Sequence, residues 1–293
     1  MWYDKVVIES SNNRGYFQTM TDIRLIAIDL DGTLLRGTGA NKSISEYTLQ
    51  VLRRAIDRGV YIAVSSGRIY NDAMTFSEMI APNQPIICSN GSMACTHDPF
   101  TVVYCECMQK PTLRSVVEVL EKEKCYYHVY CDDGSIMESR HPRPFKTRTN
   151  DGYDYTGDVL NGDEMPKYVG DGALKVVCFE PDLKKLARVR TAMEKIGGLE
   201  INASWYDNVE MLAEGVTKGA ALRALAEHLG VPMEGTMAFG DNENDLSMIE
   251  AAAIGVAMGN ATDAVKARAD YITATNEEDG VAKAVAKFVF GEE

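Results

Sequence analysis

The run IRLIAIDL at positions 23–30, followed by DGT at 31–33, decides the fold of this chain. The run is apolar, has the length of one strand and is bounded by turn residues, so it predicts a strand near the start of a domain. The Asp, Gly and Thr that follow predict a sharp turn directly after it. In open α/β sheets, ligands bind at this end of the strands.

Strand and helix patterns alternate at both ends of the chain. After the first strand come strands at 60–65 and 86–89, with helical spacing of apolar residues at 45–58 and 69–80. The C-terminal part repeats the rhythm, with strands near 209–213, 236–239 and 254–257 and helices at 217–229, 245–252, 261–268 and 278–289. This alternation predicts a doubly wound, Rossmann-like parallel sheet with right-handed crossovers.

The middle of the chain has a different pattern. Strands are predicted at 101–107 and 126–131, and helices at 112–124 and 182–196. These strands alternate between apolar and polar residues, which is typical of an antiparallel sheet with one solvated face. We therefore predict an α+β module inserted into the first domain. Residues 132–172 are rich in Gly, Asp, Pro and Arg and receive no assignment, and 1–21 fit nothing downstream.

Composition excludes several classes of protein. The 293 residues carry a net charge of −13, which argues against a general nucleic-acid surface, because such a surface needs a basic stripe. No apolar run reaches the roughly 20 residues of a membrane helix, and the N-terminal residues do not resemble a signal peptide. The seven cysteines lack metal-site spacing, so we interpret them as reduced thiols. The cytoplasm is the expected compartment.

Two acidic clusters follow predicted strands. Asp29 and Asp31 come after the first strand, and Asp241 and Asp245 come after the strand at 236–239. Each cluster alone is also typical of a polar turn or a helix start. Because parallel strands end at one edge of a sheet, the two clusters together predict four carboxylates in one crevice. Such crowding needs a positive counter-charge, and Mg²⁺ with oxygen ligands fits best.

Two further positions indicate phosphate binding. Ser66 stands at the end of the second strand, where its hydroxyl and the neighbouring amides at a helix start can hold a phosphate. An ordinary N-cap serine is the alternative. Lys218 follows Thr217, a predicted N-cap, so it lies in a first helical turn where the macrodipole disfavours a cation. Lys218 is therefore predicted to pair with an anion, with a solvated lysine as the alternative.

These motifs, in this order and at these strand ends, resemble the haloacid dehalogenase-like hydrolase superfamily. The Cof-type sugar-phosphatase branch is the most similar, with its larger C2-type cap inserted after the third core strand. The resemblance divides the chain into an N-terminal extension at 1–21, a catalytic core at 22–93 and 209–293, and an inserted substrate-specificity cap at 94–208. Ser66 stands where many relatives carry threonine, and it preserves the hydroxyl.

The resemblance also implies catalytic roles for four residues. Asp29 attacks phosphorus and forms an aspartyl-phosphate, which divides hydrolysis into two easier steps. Asp31 protonates the leaving oxygen and then deprotonates the attacking water. Ser66 and Lys218 hold the phosphoryl oxygens and stabilise charge in the transition state.

A magnesium site and a set of substrate contacts follow from the same resemblance. The Asp29 carboxylate, the Asp31 backbone carbonyl and Asp241 bind Mg²⁺. Asp245 lies in or next to that shell, where it orients a ligand or holds Lys218. Further substrate or phosphate contacts are expected at Gly32, Thr33, Gly67, Arg68, Asn90 and Asn244.

The expected substrate is a small phosphorylated metabolite, most simply a sugar phosphate chosen by the cap. A basic stretch in the cap could meet an anionic substrate, although a solvated loop is the alternative; it comprises Arg140, His141, Arg143, Lys146 and Arg148. A phosphomutase is the second interpretation, since the same aspartyl-phosphate can return its phosphoryl group to substrate. A phospho-accepting regulator is the third, and the intact Asp31 argues against it. The sequence predicts no oligomeric state.

Overall fold

Two sheets organise the molecule. The computed structural model describes residues 22–97, 99–132, 135–144, 158–160, 172–204 and 206–292. Within these residues, an eight-stranded sheet forms the core, and a six-stranded sheet with two helices forms an inserted cap. The predicted fold class is therefore confirmed. The predicted extension at 1–21, together with Lys146 and Arg148 of the basic stretch, lies outside the described residues.

The core sheet is parallel over most of its width. Its strands are β1 Leu25–Ile28, β2 Tyr61–Ser65, β3 Ile86–Cys88, β4 Met93–His97, β5 Phe100–Cys105, β12 Thr236–Gly240, β13 Ile254–Ala257 and β14 Tyr271–Ile272. They lie in the order β14-β13-β12-β1-β2-β3-β4-β5. The strands from β14 to β3 are parallel, while β4 and β5 add an antiparallel hairpin at one edge. All four residues of β1 are buried, because helices cover both faces of the sheet.

Six helices surround this sheet. They are α1 Glu46–Asp57, α2 Tyr70–Ile80, α5 Lys218–His228, α6 Leu246–Ala251, α7 Asp263–Lys266 and α8 Gly280–Val285, which continues as a π-helical turn at Ala286–Phe290. The N-cap of α1 is Ser45, whose hydroxyl accepts a hydrogen bond from the Thr48 amide at 3.0 Å. The sequence pattern of Ser43 followed by Glu46 predicts a capping box at this helix start, and that prediction is wrong, because Ser43 pairs with Arg36 in a short bridge. No helix in the described ranges has both the length and the apolar content to cross a membrane.

The cap is a separate sheet with its own apolar layer. Its strands are β6 Tyr126–Cys131, β7 Ile136–Ser139, β8 Asp158–Leu160, β9 Ala173–Phe179, β10 Leu199–Asn202 and β11 Asn208–Ala213, in the order β10-β11-β9-β6-β7-β8. Helices α3 Lys110–Lys122 and α4 Leu183–Glu194 pack on one face, where alternate strand residues such as Tyr127, Val129 and Val176 are buried. The pairs of neighbouring strands are antiparallel except β7 with β8.

The sheets do not end at the predicted domain boundaries of 93/94 and 208/209. Strands β4 and β5 extend the core sheet beyond position 93, although the sequence predicts a cap from 94 onwards. The strand predicted at 209–213 belongs to the cap sheet, where it pairs with β9 and β10. Both corrections have one cause. Residue periodicity predicts which faces of a strand are buried, but it does not predict the sheet to which the strand belongs. A core hairpin at a sheet edge therefore has the same alternation of apolar and polar residues as a cap strand.

Candidate active site

Three strand ends meet in one crevice of the core. Because β1 lies between β2 and β12 and is parallel to both, the carboxyl ends of these strands share one edge. Asp29 follows β1, Ser66 follows β2 and Asp241 follows β12, so residues far apart in sequence become neighbours. The Asp29 amide donates to the Phe239 carbonyl at 3.1 Å, which continues the pairing of β1 with β12 past the last strand residue. Of the four carboxylates that the sequence predicts in one crevice, Asp29, Asp241 and Asp245 come together here.

A fully buried lysine joins two of the acidic residues. Lys218 is the first residue of α5, after the N-cap Thr217 whose hydroxyl accepts from the Ala220 amide at 3.0 Å. Its Nζ lies 2.6 Å from Asp29 Oδ1 and 2.7 Å from Asp245 Oδ1. Burial alone would lower the pKa of Lys218, but the Asp245 and Asp29 carboxylates overcome that effect and raise it. The predicted anion pairing of Lys218 is confirmed.

Three carboxylates surround a position that suits a metal ion. Asp29, Asp241 and Asp245 each offer one oxygen, and these oxygens lie within 4.8 Å of one another. Burial, followed by the charge of Asp245, raises the pKa of Asp29 well above its usual value and raises that of Asp241 to about 7. One lysine ammonium therefore does not balance the three carboxylates, and a divalent cation would supply the missing charge. The all-oxygen donor set fits a hard cation.

Asp245 is an organising group of this cluster. Besides the contact to Lys218, its Oδ2 accepts from the backbone amides of Asp241 at 2.9 Å and Asn242 at 3.1 Å. The side chain is completely buried. The two oxygens are thus engaged by three protein donors, which holds the Asp241 loop against the start of α5. The sequence left two roles open for Asp245, which were to orient a ligand or to hold Lys218. This geometry agrees with the second role.

Asp31 faces two cations instead of the acidic cluster. Arg68 donates to its two carboxylate oxygens from Nε and from a terminal nitrogen, both at 2.9 Å, and Lys42 Nζ lies 2.8 Å from Oδ1. Burial opposes ionisation of Asp31, but Arg68 and Lys42 prevail and lower its pKa. The sequence predicts that Arg68 contacts phosphate. In this arrangement, its guanidinium group instead binds the Asp31 carboxylate. The role predicted for the Asp31 backbone carbonyl as a metal ligand stays a prediction.

Gly32 and Thr33 pack against Asp241. Thr33 Oγ1 donates to Asp241 Oδ1 at 3.0 Å, so this hydroxyl orients a carboxylate, although the sequence predicts a phosphate contact. Gly32 has φ of +89°, and a Cβ at that position would collide with the Asp241 carboxylate. Glycine is required here for two reasons, the left-handed backbone and the close approach of another loop.

The loop predicted to bind phosphate lies between β2 and α2. Ser66 is buried, and its hydroxyl accepts from the Arg68 amide at 3.2 Å. The backbone N–H of Asn90 donates to the backbone carbonyl of Ser66 at 3.0 Å. This hydrogen bond fixes the loop to the segment after β3. We call residues 66–68 the phosphate loop, because the sequence predicts a phosphate contact for each of them.

The side chains of Asn90 and Asn244, predicted as substrate contacts, are bound to protein groups. Asn244 Nδ2 donates to Asn90 Oδ1 at 3.0 Å, and Asn90 Nδ2 donates to Glu210 Oε2 at 2.6 Å. Sequence reasoning missed Glu210, and it also missed Lys175, which pairs with it. A signal was available, because both are charged residues within the otherwise apolar strands β11 and β9. A charge at such a position is rarely buried without a partner.

The described part of the basic stretch bonds within the cap. Arg143 Nε donates to Glu138 Oε1 at 2.6 Å, and His141 Nε2 lies 3.0 Å from Glu121 Oε2. Arg140 is exposed. The side chains of Arg143 and His141 therefore contact carboxylates of the cap itself, so in this arrangement neither side chain is directed at an anionic substrate.

Comparison with known proteins places these features in a family context. A family model described as haloacid dehalogenase-like hydrolase matches residues 26–285. Pyridoxal phosphate phosphatase YbhA of Escherichia coli strain K12 is 33% identical over 271 residues, with 89% of this chain and 96% of that protein covered. The 5-amino-6-(5-phospho-D-ribitylamino)uracil phosphatase YcsE of Bacillus subtilis strain 168 is 34% identical over 269 residues, with coverage of 92% and 96%.

Similar folds occur among solved structures. A structure described as a HAD subclass IIB sugar phosphatase superposes with a TM-score of 0.77 and 26% sequence identity. The superposition covers 90% of this chain and 98% of that one, so it includes the core and the cap.

Proposed function

This chain belongs to the haloacid dehalogenase-like hydrolases, in their Cof-type branch, and from that premise we propose a complete reaction for it. It is a phosphoric monoester hydrolase. We propose that it hydrolyses a small phosphorylated metabolite in a magnesium-dependent reaction through an aspartyl-phosphate on Asp29. The observation that carries the proposal is the buried contact of Asp29 with Lys218 at 2.6 Å, beside Asp241 at a strand end.

The first half of the reaction forms a bond from an Asp29 carboxylate oxygen to phosphorus while the bond to the leaving oxygen breaks. Lys218 and Ser66 stabilise the negative charge on the phosphoryl oxygens. Asp31 gives a proton to the leaving oxygen. Arg68 and Lys42 hold Asp31 in its ionised form. A bound phosphate monoester competes with Asp31 for these cations, which raises the pKa of Asp31 toward its ordinary value. Asp31 takes up the proton that it then donates from the monoanion of the ester or from solvent.

The second half hydrolyses the aspartyl-phosphate. Asp31, now ionised, takes a proton from a water molecule, and the water oxygen attacks phosphorus. Inorganic phosphate leaves and the Asp29 carboxylate is restored. Asp29, the Asp31 backbone carbonyl and Asp241 would hold Mg²⁺, and the bound ion would supply positive charge that offsets the negative charge of the phosphoryl group.

The relatives support a small phosphorylated substrate that the cap selects. The names of these proteins specify pyridoxal phosphate, a phosphoribitylamino-uracil and a sugar phosphate, which share a phosphate on a compact polar molecule. We propose the same class for this chain, with a sugar phosphate as the first candidate. The seven cysteines are all free, which supports a reducing compartment, and we propose the cytoplasm.

A panel of phosphate esters tests the proposal. The purified chain is incubated with Mg²⁺ and with sugar phosphates, pyridoxal phosphate and other small monoesters, and released phosphate is measured. We expect turnover of at least one ester and its loss in EDTA. If phosphate moves between positions on a sugar without release, the chain is a mutase. If no ester releases phosphate while the protein becomes phosphorylated, it is a phospho-accepting regulator.

The pH dependence of stability gives a separate prediction about the metal site. Because burial and Asp245 raise the pKa of Asp241 from 3.8 to about 7, the metal-free folded protein holds a proton between these values that the unfolded chain releases. Its free energy of unfolding should therefore decrease as pH rises through this range. Mg²⁺ needs deprotonated ligands, so the ion should raise Tm more at about pH 8 than at about pH 5.5. Calorimetry with MgCl₂ and with EDTA measures both effects.

The control for this prediction is Asp241→Asn. This variant has no titrating group at the position, so its metal-free stability should lose that part of the pH dependence, and Mg²⁺ should no longer raise Tm. For the wild-type protein, a hundredfold excess of ion over Kd corresponds to a stabilisation of about 2.7 kcal/mol. Equal shifts of Tm by Mg²⁺ at both pH values would contradict the assignment of Asp241.

A further inference from the structure

A buried ion pair of the cap lies against the catalytic loops of the core. Lys175 in β9 and Glu210 in the neighbouring strand β11 approach to 2.8 Å, from Nζ to Oε2. Their side chains are only 4% and 3% exposed. The two residues are far from each other in sequence, and the core motifs do not include them.

The pair contacts both sides of the catalytic crevice. Lys175 Nζ donates to the Gly67 carbonyl of the phosphate loop at 2.7 Å. Glu210 Oε2 accepts from Asn90 at 2.6 Å, and Asn90 in turn accepts from Asn244 at 3.0 Å. Asn244 lies in the loop of Asp241 and Asp245. A continuous chain of hydrogen bonds thus runs from the phosphate loop through two cap residues to the acidic loop.

The other oxygen of Glu210 is also satisfied. Its Oε1 accepts from the Ser204 hydroxyl and, at 3.4 Å, from Asn208 Nδ2. The Ser204 carbonyl accepts from Asn242 Nδ2 at 3.4 Å, which adds a second link to the acidic loop. A fully hydrogen-bonded network of this kind favours one arrangement of the groups it joins, because any shift would leave a buried polar atom unsatisfied.

The backbone near Asn90 is strained, and the network helps to hold it. Ser89 and Asn90 have φ of +49° and +56°, in the left-handed region that non-glycine residues rarely adopt. This conformation is unfavourable for a residue other than glycine, so it persists where the surroundings fix it. The contacts from Asn90 to Glu210 and Asn244 provide that restraint.

Stability alone does not explain the ion pair. Two charges are costly to bury, and apolar residues of similar volume often stabilise a protein equally well or better. The geometry of the pair suggests a different benefit, since it fixes two loops that must hold a phosphoryl group between them. Strand β11 also leads through 214–217 to Lys218, so it connects the cap directly to a catalytic residue.

We propose that Lys175 and Glu210 are positioning residues of the phosphatase, which set the phosphate loop and the acidic loop at the separation that binds a phosphoryl group. The proposal rests on the proposed function and extends it, since the cap then completes the phosphate site as well as selecting the substrate. Neither residue forms a bond to phosphorus or moves a proton. Their effect is on how well the site is assembled before the reaction begins.

The test separates positioning from stability by means of a double variant. Lys175→Met and Glu210→Gln each leave a buried group without its partner, so each should lower Tm by about 10 °C. The double variant carries no unpaired charge and should recover most of that loss. It should nevertheless keep a kcat/KM about 100-fold below wild type, because methionine offers no donor to the Gly67 carbonyl and the ion pair that joined the two loops is lost. Isothermal titration with inorganic phosphate and Mg²⁺ should show a parallel loss of affinity.

A second ion pair of the cap gives the matched control. Lys185 and Glu180 approach to 2.7 Å, and among the described residues their other side-chain hydrogen bonds go to Lys124 and Asp182 of the cap. The variant Lys185→Met with Glu180→Gln should keep wild-type kcat/KM and phosphate affinity. If the Lys175 and Glu210 double variant recovers both activity and stability, the pair is merely structural and the inference is wrong. Since phosphate binding does not require turnover, a wild type without activity would disprove the proposed function while the titration still tests the positioning role.

Discussion

Replacing Asp29 with asparagine is expected to lower kcat by about 10⁴- to 10⁶-fold, the range seen when a nucleophile is removed. Asparagine keeps the shape of the side chain but lacks the carboxylate that attacks phosphorus. The fold should persist. Burial and the neighbouring Asp245 raise the pKa of Asp29, so its charge is unfavourable in the metal-free protein and its removal should not unfold the chain. Phosphate release and thermal melting measure the two effects.

A surface variant provides the comparison for Asp29→Asn. Asp57 is the last residue of α1 and is exposed, so Asp57→Asn makes the same chemical change outside the crevice and should keep wild-type kcat. With a trapped phosphoryl group as readout, wild type should show a transient acid-stable label on the protein, whereas Asp29→Asn should show none. An Asp29→Asn variant with kcat within about tenfold of wild type would disprove the nucleophile assignment.

Replacing Lys218 with methionine should reduce both activity and stability. Methionine fills a similar volume but leaves Asp29 and Asp245, at 2.6 and 2.7 Å from the lost ammonium, without their shared cation. Removing one partner of a buried ion pair costs about 3–5 kcal/mol. Loss of one charge-stabilising group in an active site lowers kcat about 10²- to 10³-fold. Urea unfolding and phosphate release provide the two measurements.

The stability loss of Lys218→Met should depend on pH. Without the ammonium, the folded-state pKa of Asp29, which burial and the charge of Asp245 already raise, rises further above its unfolded value, so the folded state holds extra protons and its stability decreases as pH rises. Adding Asp245→Asn removes one stranded charge and should recover part of the stability but none of the activity. Lys266→Met, at a partly exposed position at the end of α7, is the control and should match wild type. A Lys218→Met variant as stable as wild type at alkaline pH would contradict the buried pairing.

The family and the parallel core could be predicted from sequence because their signals are local. The apolar run before Asp29 and the helical spacing after it require only residues that are close in the chain, and together they fix strand, turn and helix. The comparisons confirm the family that the motifs indicate. The pairing of Lys218 was also predictable, because a cation in a first helical turn needs an electrostatic explanation.

Contacts between distant segments could not be predicted in this way. The sequence motifs predict phosphate or substrate contacts for Thr33 and Asn90. In the structure, Thr33 donates a hydrogen bond to Asp241 instead, and Asn90 accepts one from Asn244. A motif shows that a polar group lies near the crevice, but the partner of that group depends on which loops meet there. The strand at 209–213 was assigned to the wrong sheet for the same reason, since its apolar pattern suits either one.

By itself, the sequence determined the core architecture, the aspartate pair at the end of the first strand and the chemistry that such a pair can perform. Only the tertiary structure decided that Asp31 faces Arg68 and Lys42, and that the cap residues Lys175 and Glu210 reach the catalytic loops. The physical reason is that secondary structure follows from neighbours in the chain, whereas hydrogen bonds and ion pairs at the site join residues that only the packing of two sheets brings together.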